Sequence, residues 1–170
     1  GMKTAYCIMD GSLRASYPGE LEKRRREGWD IMLDHRLNPD DISRTTPPEI
    51  SDLLYAKSRG MSSYNILNIV PPPKNPDTRW VLTCSEKAIA DPKFYDYFVG
   101  VVRPYVEKLR KHGLDKLAYV YGFDERPKEF NPVVEAFWKR FQKDVPGIPM
   151  MTTAKNYQDF VRGRIKGPLA

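Results

Sequence analysis

The chain has 170 residues, which suits one domain able to bury roughly 70% of the surface its unfolded form exposes. Its 41% hydrophobic, 12% aromatic and 29% charged content excludes disordered, collagen-like and disulfide-scaffold classes, and no window reaches the ~18 apolar residues of a membrane helix. The formal charge of +6 gathers in EKRRRE, Glu22 to Glu27, and in RGRIK near the C-terminus, without interleaved aromatics, so it reads as solvated helix surface and tail rather than a nucleic-acid platform.

In chain order the pattern is a short apolar strand, a loop and an amphipathic helix, repeated, which predicts βα units around a parallel sheet. The first strand is TAYCIMD, Thr4 to Asp10, followed by a breaker-rich loop, GSLRASYPG. Pro18 then opens a helix through Glu20, Leu21, Arg25, Trp29 and Met32. A short second strand is expected near His35 to Leu37, stopped by Pro39. The next helix takes Thr46 as cap and Pro47 and Pro48 in its first turn, and ends at Gly60. Strand three is SSYNILNIV, Ser62 to Val70.

The proline-rich stretch that follows is long enough to be a lid or binding loop, and it carries Trp80 as a candidate sugar platform or, alternatively, a packing anchor. The clearest helix runs from Pro92 to about His112, with Phe94, Phe98, Val102, Val106 and Leu109 on one face, Asp91 as cap, Gly113 as stop and a kink expected at Pro104. Strand four is KLAYVYGFDE. Asn131 and Pro132 start a helix carrying Val134, Phe137, Trp138 and Phe141. IPMMTTA supplies strand five, and a last amphipathic piece begins near Asn156. The two cysteines, Cys7 and Cys84, lack metal-ligand spacing and are expected to be free thiols.

Five strands and about five helices in alternation predict an α/β fold, a TIM-barrel-like (β/α) arrangement that stops a little past half of the eight units, which usually take around 250 residues. The expected organisation is residues 1–2 as a tag scar and start, 3–154 as the partial barrel, and 155–170 as a terminal helix and basic tail. A fragment, a self-associating half barrel and an open sheet remain alternatives. The native compartment is not legible. A trimmed leader ahead of Gly1 would imply a secreted or periplasmic protein.

In parallel βα folds, functional groups collect where strands end. Asp124 and Glu125 stand there on strand four. Asp10 follows strand one, His35 and Arg36 lie on strand two, Asn68 is near the end of strand three, and Thr152 and Thr153 are on strand five, so together they form a candidate polyol-binding ring. Two acids in different surroundings can split roles, one ionised and one protonated. Adjacent residues have Cα atoms only ~3.8 Å apart, however, so the pair cannot easily flank opposite faces of a sugar. A substrate-assisted route lets both act from one side, with the sugar's own 2-acetamido oxygen as nucleophile. Strand neighbours point to opposite faces, so the strand must turn at its end, and Gly122 eases that turn. The alternative is a capping or ion-pairing role, with Asp124 on helix N–H groups and Glu125 on Arg126 or Lys128.

YVYGFDERP, PGIPMMTTA and MLDHRLNPDDI together resemble the catalytic barrel of glycoside hydrolase family 123, the β-N-acetylgalactosaminidases, and its uncharacterised relatives. The likeness runs from about Tyr17 to Ala154. It implies Asp124 as the acetamide stabiliser and Glu125 as general acid and base. With it, His35 and Arg36, which could otherwise brace a strand-helix junction, become candidate sugar ligands, and Tyr121 and Arg126 are site neighbours; Asp10, Asn68 and Trp80 stay substrate-binding candidates from their positions alone, Asn68 alternatively tying down a loop. A carbohydrate is the expected partner, with no cofactor or metal, no nucleic acid and no membrane, and with a homo-oligomer or the remainder of a barrel completing the site. Two other function classes stay open: a carbohydrate-binding partial barrel without turnover, and an interaction module for acidic polymers.

Overall fold

A computed structural model of the chain describes residues 6–8, 10–69, 92–124 and 130–153. These form a mixed α/β arrangement in the order β1 (Tyr6–Cys7), α1 (Asp10–Ser16), α2 (Leu21–Asp34), β2 (Pro39–Asp40), α3 (Ile50–Ser58), β3 (Tyr64–Ile69), α4 (Pro92–Lys111), β4 (Ala118–Gly122), α5 (Asn131–Asp144) and β5 (Met150–Met151). A single 3-10 turn, Asp115–Leu117, leads into β4.

The strands make two small parallel sheets, β1-β2 and β3-β4-β5. Tyr6 pairs with Pro39 and Cys7 with Asp40 in the first. In the second, Tyr64 pairs with Ala118, Ile69 with Gly122 and Val120 with Met150. Pro39 explains why β2 and β3 share no ladder. β1 takes its bonds from the carbonyls on either side of the proline, Tyr6 N–H to Asn38 O and Ile8 N–H to Asp40 O, both at 2.9 Å. The edge of Pro39 turned toward β3 has no N–H to offer. Side chains close that gap. Asn38 Nδ2 donates to Ser63 O at 2.5 Å and Asn38 Oδ1 accepts from Ser62 N–H at 2.8 Å. Asp40 Oδ2 accepts from Asn65 N–H at 2.8 Å, and Asn68 N–H reaches Arg44 O at 2.9 Å. Residue numbers rise together along both segments, so the two sheets run in one direction.

The core follows from the three-and-four spacing of α4. Phe94, Phe98, Val102, Val106 and Leu109 are buried against Ile66 of β3, Val120 of β4 and Phe137 and Phe141 of α5. Each such side chain contributes about 1.5–3 kcal/mol on full burial. The Phe98 ring lies 5.7 Å from Phe137 and 5.8 Å from Phe141, within the range of favourable aromatic pairs. Ala118 and Val120 belong to this helix-covered core, whereas Tyr119 and Tyr121 alternate onto the other face of β4. Pro104 does not end α4. The proline and Gly100, the residue four places before it, both lie on the exposed face, where water can take the carbonyl that loses its helical donor.

Several boundaries differ from expectation, each for a local reason. Asp10 begins α1 instead of ending a strand, and most of the expected loop is that helix: Gly11 and Ser12 fall in the first turn, whose N–H groups have no helical partner in any case. The expected strand at His35 to Leu37 is the close of α2, with Arg36 in the left-handed region at φ +60° and Leu37 N–H returning to Met32 O at 2.8 Å. Thr46, Pro47 and Pro48 precede α3, whose cap position is Glu49, because a residue before proline is pushed out of the helical region. Pro18 and Gly19 likewise precede α2. Gly60 and Gly113, at φ +101° and +62°, close α3 and α4 as expected. The cap assigned to Asp91, the long loop with Trp80 and Cys84, and the terminal piece from Asn156 lie outside the described residues.

Candidate functional site

Strand β4 ends in a forced turn. A Cβ on Gly122 would run into the Ile69 side chain, striking its Cβ and standing 2.9 Å from its Cγ1, so only glycine lets β3 and β4 approach here. Phe123 then adopts φ +57°, a left-handed conformation that costs a non-glycine residue about 1–2 kcal/mol. Its ring is buried and meets Phe137 edge-on at 5.2 Å, which offsets that cost. The turn sequence reasoning requires at the strand end is therefore made by Phe123, with Gly122 supplying close approach.

The residue delivered by this turn is Asp124, half-buried. Its Oδ1 accepts from the Tyr121 hydroxyl at 2.7 Å and from Thr153 Oγ1 at 2.5 Å. Thr152 Oγ1 donates to Phe123 O at 3.2 Å, so the ends of β4 and β5 are tied together beside the carboxylate. Asn68 stands next along the same end of the sheet, as the register partner of Tyr121. Asp124, Tyr121, Asn68, Thr152 and Thr153 thus gather where the parallel strands β3, β4 and β5 finish. Glu125, Arg126 and Trp80 lie outside the described residues.

His35 and Arg36 do not join them. Both sit at the C-terminal end of α2, ahead of β2, and a helix that returns beside a parallel sheet delivers its last residues to the opposite end from the strand tips. His35 Nδ1 lies 2.8 Å from Ile31 O and the ring is exposed. Asp10 does lie beyond the C-terminal end of β1, where its Oδ2 accepts from Arg25 Nη1 at 3.1 Å.

A buried polar network behind the rim escaped sequence reasoning. The Asp40 side chain is fully buried and takes bonds from Tyr119 Oη at 2.6 Å, the Asp41 N–H at 2.7 Å and Arg44 Nη2 at 3.2 Å, besides the Asn65 N–H. Burial first, and then the Asp40 charge, push the Tyr119 hydroxyl far above its ordinary pKa. Asn65 is wholly buried, accepts from Tyr121 N–H at 3.0 Å, and donates to Asp41 O and Ile42 O at 3.2 Å each. The run PDD reads as a turn, which hid Asp40. The one available signal was Asn65 standing inside an otherwise apolar strand.

Beyond β1 and β2, the N-terminal halves of α2 and α3 together with α1 enclose a cavity of about 600 Å³, with Asp10, Arg14, Trp29, Asp41, Arg44 and Thr45 in its wall. Burial raises the Asp41 carboxyl pKa, opposed by the Arg44 charge and the Ser43 N–H. The basic run is committed internally. Arg24 pairs with Glu20 and Glu27 at 2.9 Å, Arg25 with Glu22 at 2.6 Å and Asp52 at 2.7 Å besides Asp10, and Arg26 with Asp52 at 2.9 Å. Among the described residues no group of three or more His, Cys, Asp or Glu side chains is placed to hold a metal ion, and no helix is long and apolar enough to cross a membrane. Comparison of the chain with protein-family models, curated proteins and solved structures gives no match.

Proposed function

We propose that this chain forms five units of a (β/α) barrel glycosidase that cleaves β-N-acetylhexosaminides, with N-acetylgalactosaminides as the leading substrates, by retaining, substrate-assisted hydrolysis. The observation that carries the reading is the forced turn at the end of β4, which sets Asp124 at the strand tips with both hydroxyl donors on Oδ1. That arrangement fixes the rotamer and, among the described residues, leaves Oδ2 to accept from a substrate amide. The common direction of the strands, in the spatial order β1 to β5, supports a singly wound barrel segment.

In this mechanism the 2-acetamido carbonyl oxygen attacks the anomeric carbon as the bond to the leaving oxygen breaks. Asp124 holds the acetamide N–H, which orients the nucleophile and balances the charge developing on it. Glu125 gives its proton to the leaving oxygen, and as a carboxylate it then removes a proton from the water that opens the cyclic intermediate. Two inversions at one carbon give net retention. The acidic-polymer reading loses support because Arg24, Arg25 and Arg26 already face internal carboxylates.

The test is hydrolysis of an aryl 2-acetamido-2-deoxy-β-galactoside. Glu125→Gln should lower kcat by about 10²–10⁴-fold, the usual worth of a general acid and base. Turnover that survives Glu125→Gln would overturn the assignment, and sugar binding without any turnover would leave the non-catalytic carbohydrate-binding reading in its place.

A further inference from the structure

We propose that the cavity of about 600 Å³ beyond β1 and β2 is the subsite for the sugar unit to which the N-acetylhexosamine is linked, an inference that rests on the glycosidase reading above. Its position fits. The cavity opens at the C-terminal ends of β1 and β2, and Asp124 stands at the same end of β4. One strand lies between β2 and β4, so at the usual inter-strand spacing the two places are roughly 10 Å apart, a span suited to neighbouring units of an oligosaccharide.

The wall chemistry selects a neutral polyol. Sugar hydroxyls both donate and accept, and they need both kinds of partner close together. Asp10 and Asp41 supply acceptors: Arg25 bonds only Oδ2 of Asp10, while Ser43 N–H and the Cys7 thiol meet only Oδ1 of Asp41, so each carboxylate keeps one oxygen without a partner among the described residues. Arg14 and Thr45 supply donors, and Trp29, packed against the core with the Arg25 guanidinium 5.4 Å from its ring centroid, supplies an apolar border to the space. Carboxylates outnumber guanidinium groups in the wall, which repels a polyanion, while Arg14, Arg25 and Arg44 disfavour a simple cation. Asp40 and Asp52 also border the space, but Asp40 is engaged by its network and Asp52 by Arg25 and Arg26.

The experiment is isothermal titration of the full chain carrying Glu125→Gln, which slows turnover, with N-acetylgalactosamine and with a disaccharide in which that sugar is β-linked to galactose. The disaccharide should bind about tenfold more tightly than the monosaccharide. Asp41→Asn and Trp29→Ala, each checked for an intact fold by circular dichroism, should abolish that advantage and leave monosaccharide affinity unchanged. Equal affinity for the two sugars, or an advantage that survives both substitutions, overturns the subsite while leaving the glycosidase reading intact. Failure of both sugars to bind overturns both readings.

Discussion

Asp41 combines an unusual ionisation with a place in the cavity wall. Its carboxyl pKa is raised by burial first, and further by the charges of Asp10 and Asp40, against the pull of Arg44 and the Ser43 N–H. A carboxyl whose folded pKa exceeds its unfolded pKa binds a proton more readily when folded. It therefore costs no stability at pH below the unfolded value, and a cost develops as pH rises through the two values. Asp41→Asn keeps an acceptor for Ser43 N–H and removes the charge. Thermal unfolding followed by circular dichroism should show a higher Tm than the parent at neutral pH, with the gain vanishing below about pH 3. A gain that persists in acid would place its cause outside the ionisation of this carboxyl. At this scale the place of Asp124 was legible, because the apolar run of β4 stops just before it, although the same pattern at Asp10 marks the start of a helix. Its tie to Thr153 was not, because the two residues are brought together only by the pairing of β4 with β5.

Among the elements, the end of β4 is the most constrained. Gly122→Ala introduces a Cβ against Ile69, which packs within the buried core and has little room to retreat. Overpacking of this kind costs about 1–3 kcal/mol, and a urea titration should show that loss as a lower midpoint. If Asp124 depends on this turn, hydrolysis should fall further than the lost stability explains; unchanged activity at full folding would disconnect the turn from the site. Helices α4 and α5 and strands β3 and β4 were readable because each carries a long, consistent period, 3.6 residues for the helices and two for β4. Helix α1 and the end of α2 were not. Seven residues containing Gly11 and Ser12 give too short a period to outweigh the breaker signal, and His35, Arg36 and Leu37 mimic an extended run before a proline.

For the molecule as a whole, Arg25 gathers Asp10 of α1, Glu22 of α2 and Asp52 of α3 around one guanidinium. Arg25→Ala should cost about 2–3 kcal/mol, below the ~3–5 of a fully stranded buried charge because Arg26 still holds Asp52. Equilibrium denaturation reads the loss, and native-state hydrogen exchange should show α1 opening ahead of the core helices. A stability equal to the parent's would mean that apolar packing alone docks α1. The α/β alternation was visible along the chain, but the division into two sheets was not, since it depends on Pro39 and on contacts between residues some 25 positions apart.

That division has a mechanical consequence. A ladder shares load over evenly spaced bonds, whereas the junction of β2 with β3 hangs mainly on the side chains of Asn38, Asp40 and Asn65, with the Asn68 N–H to Arg44 O bond beyond them. Strain applied across the assembly concentrates at that seam. It runs between the cavity beyond β1 and β2 and Asp124, so small yielding there would alter the spacing of those two places, with little disturbance to the aromatic packing beneath.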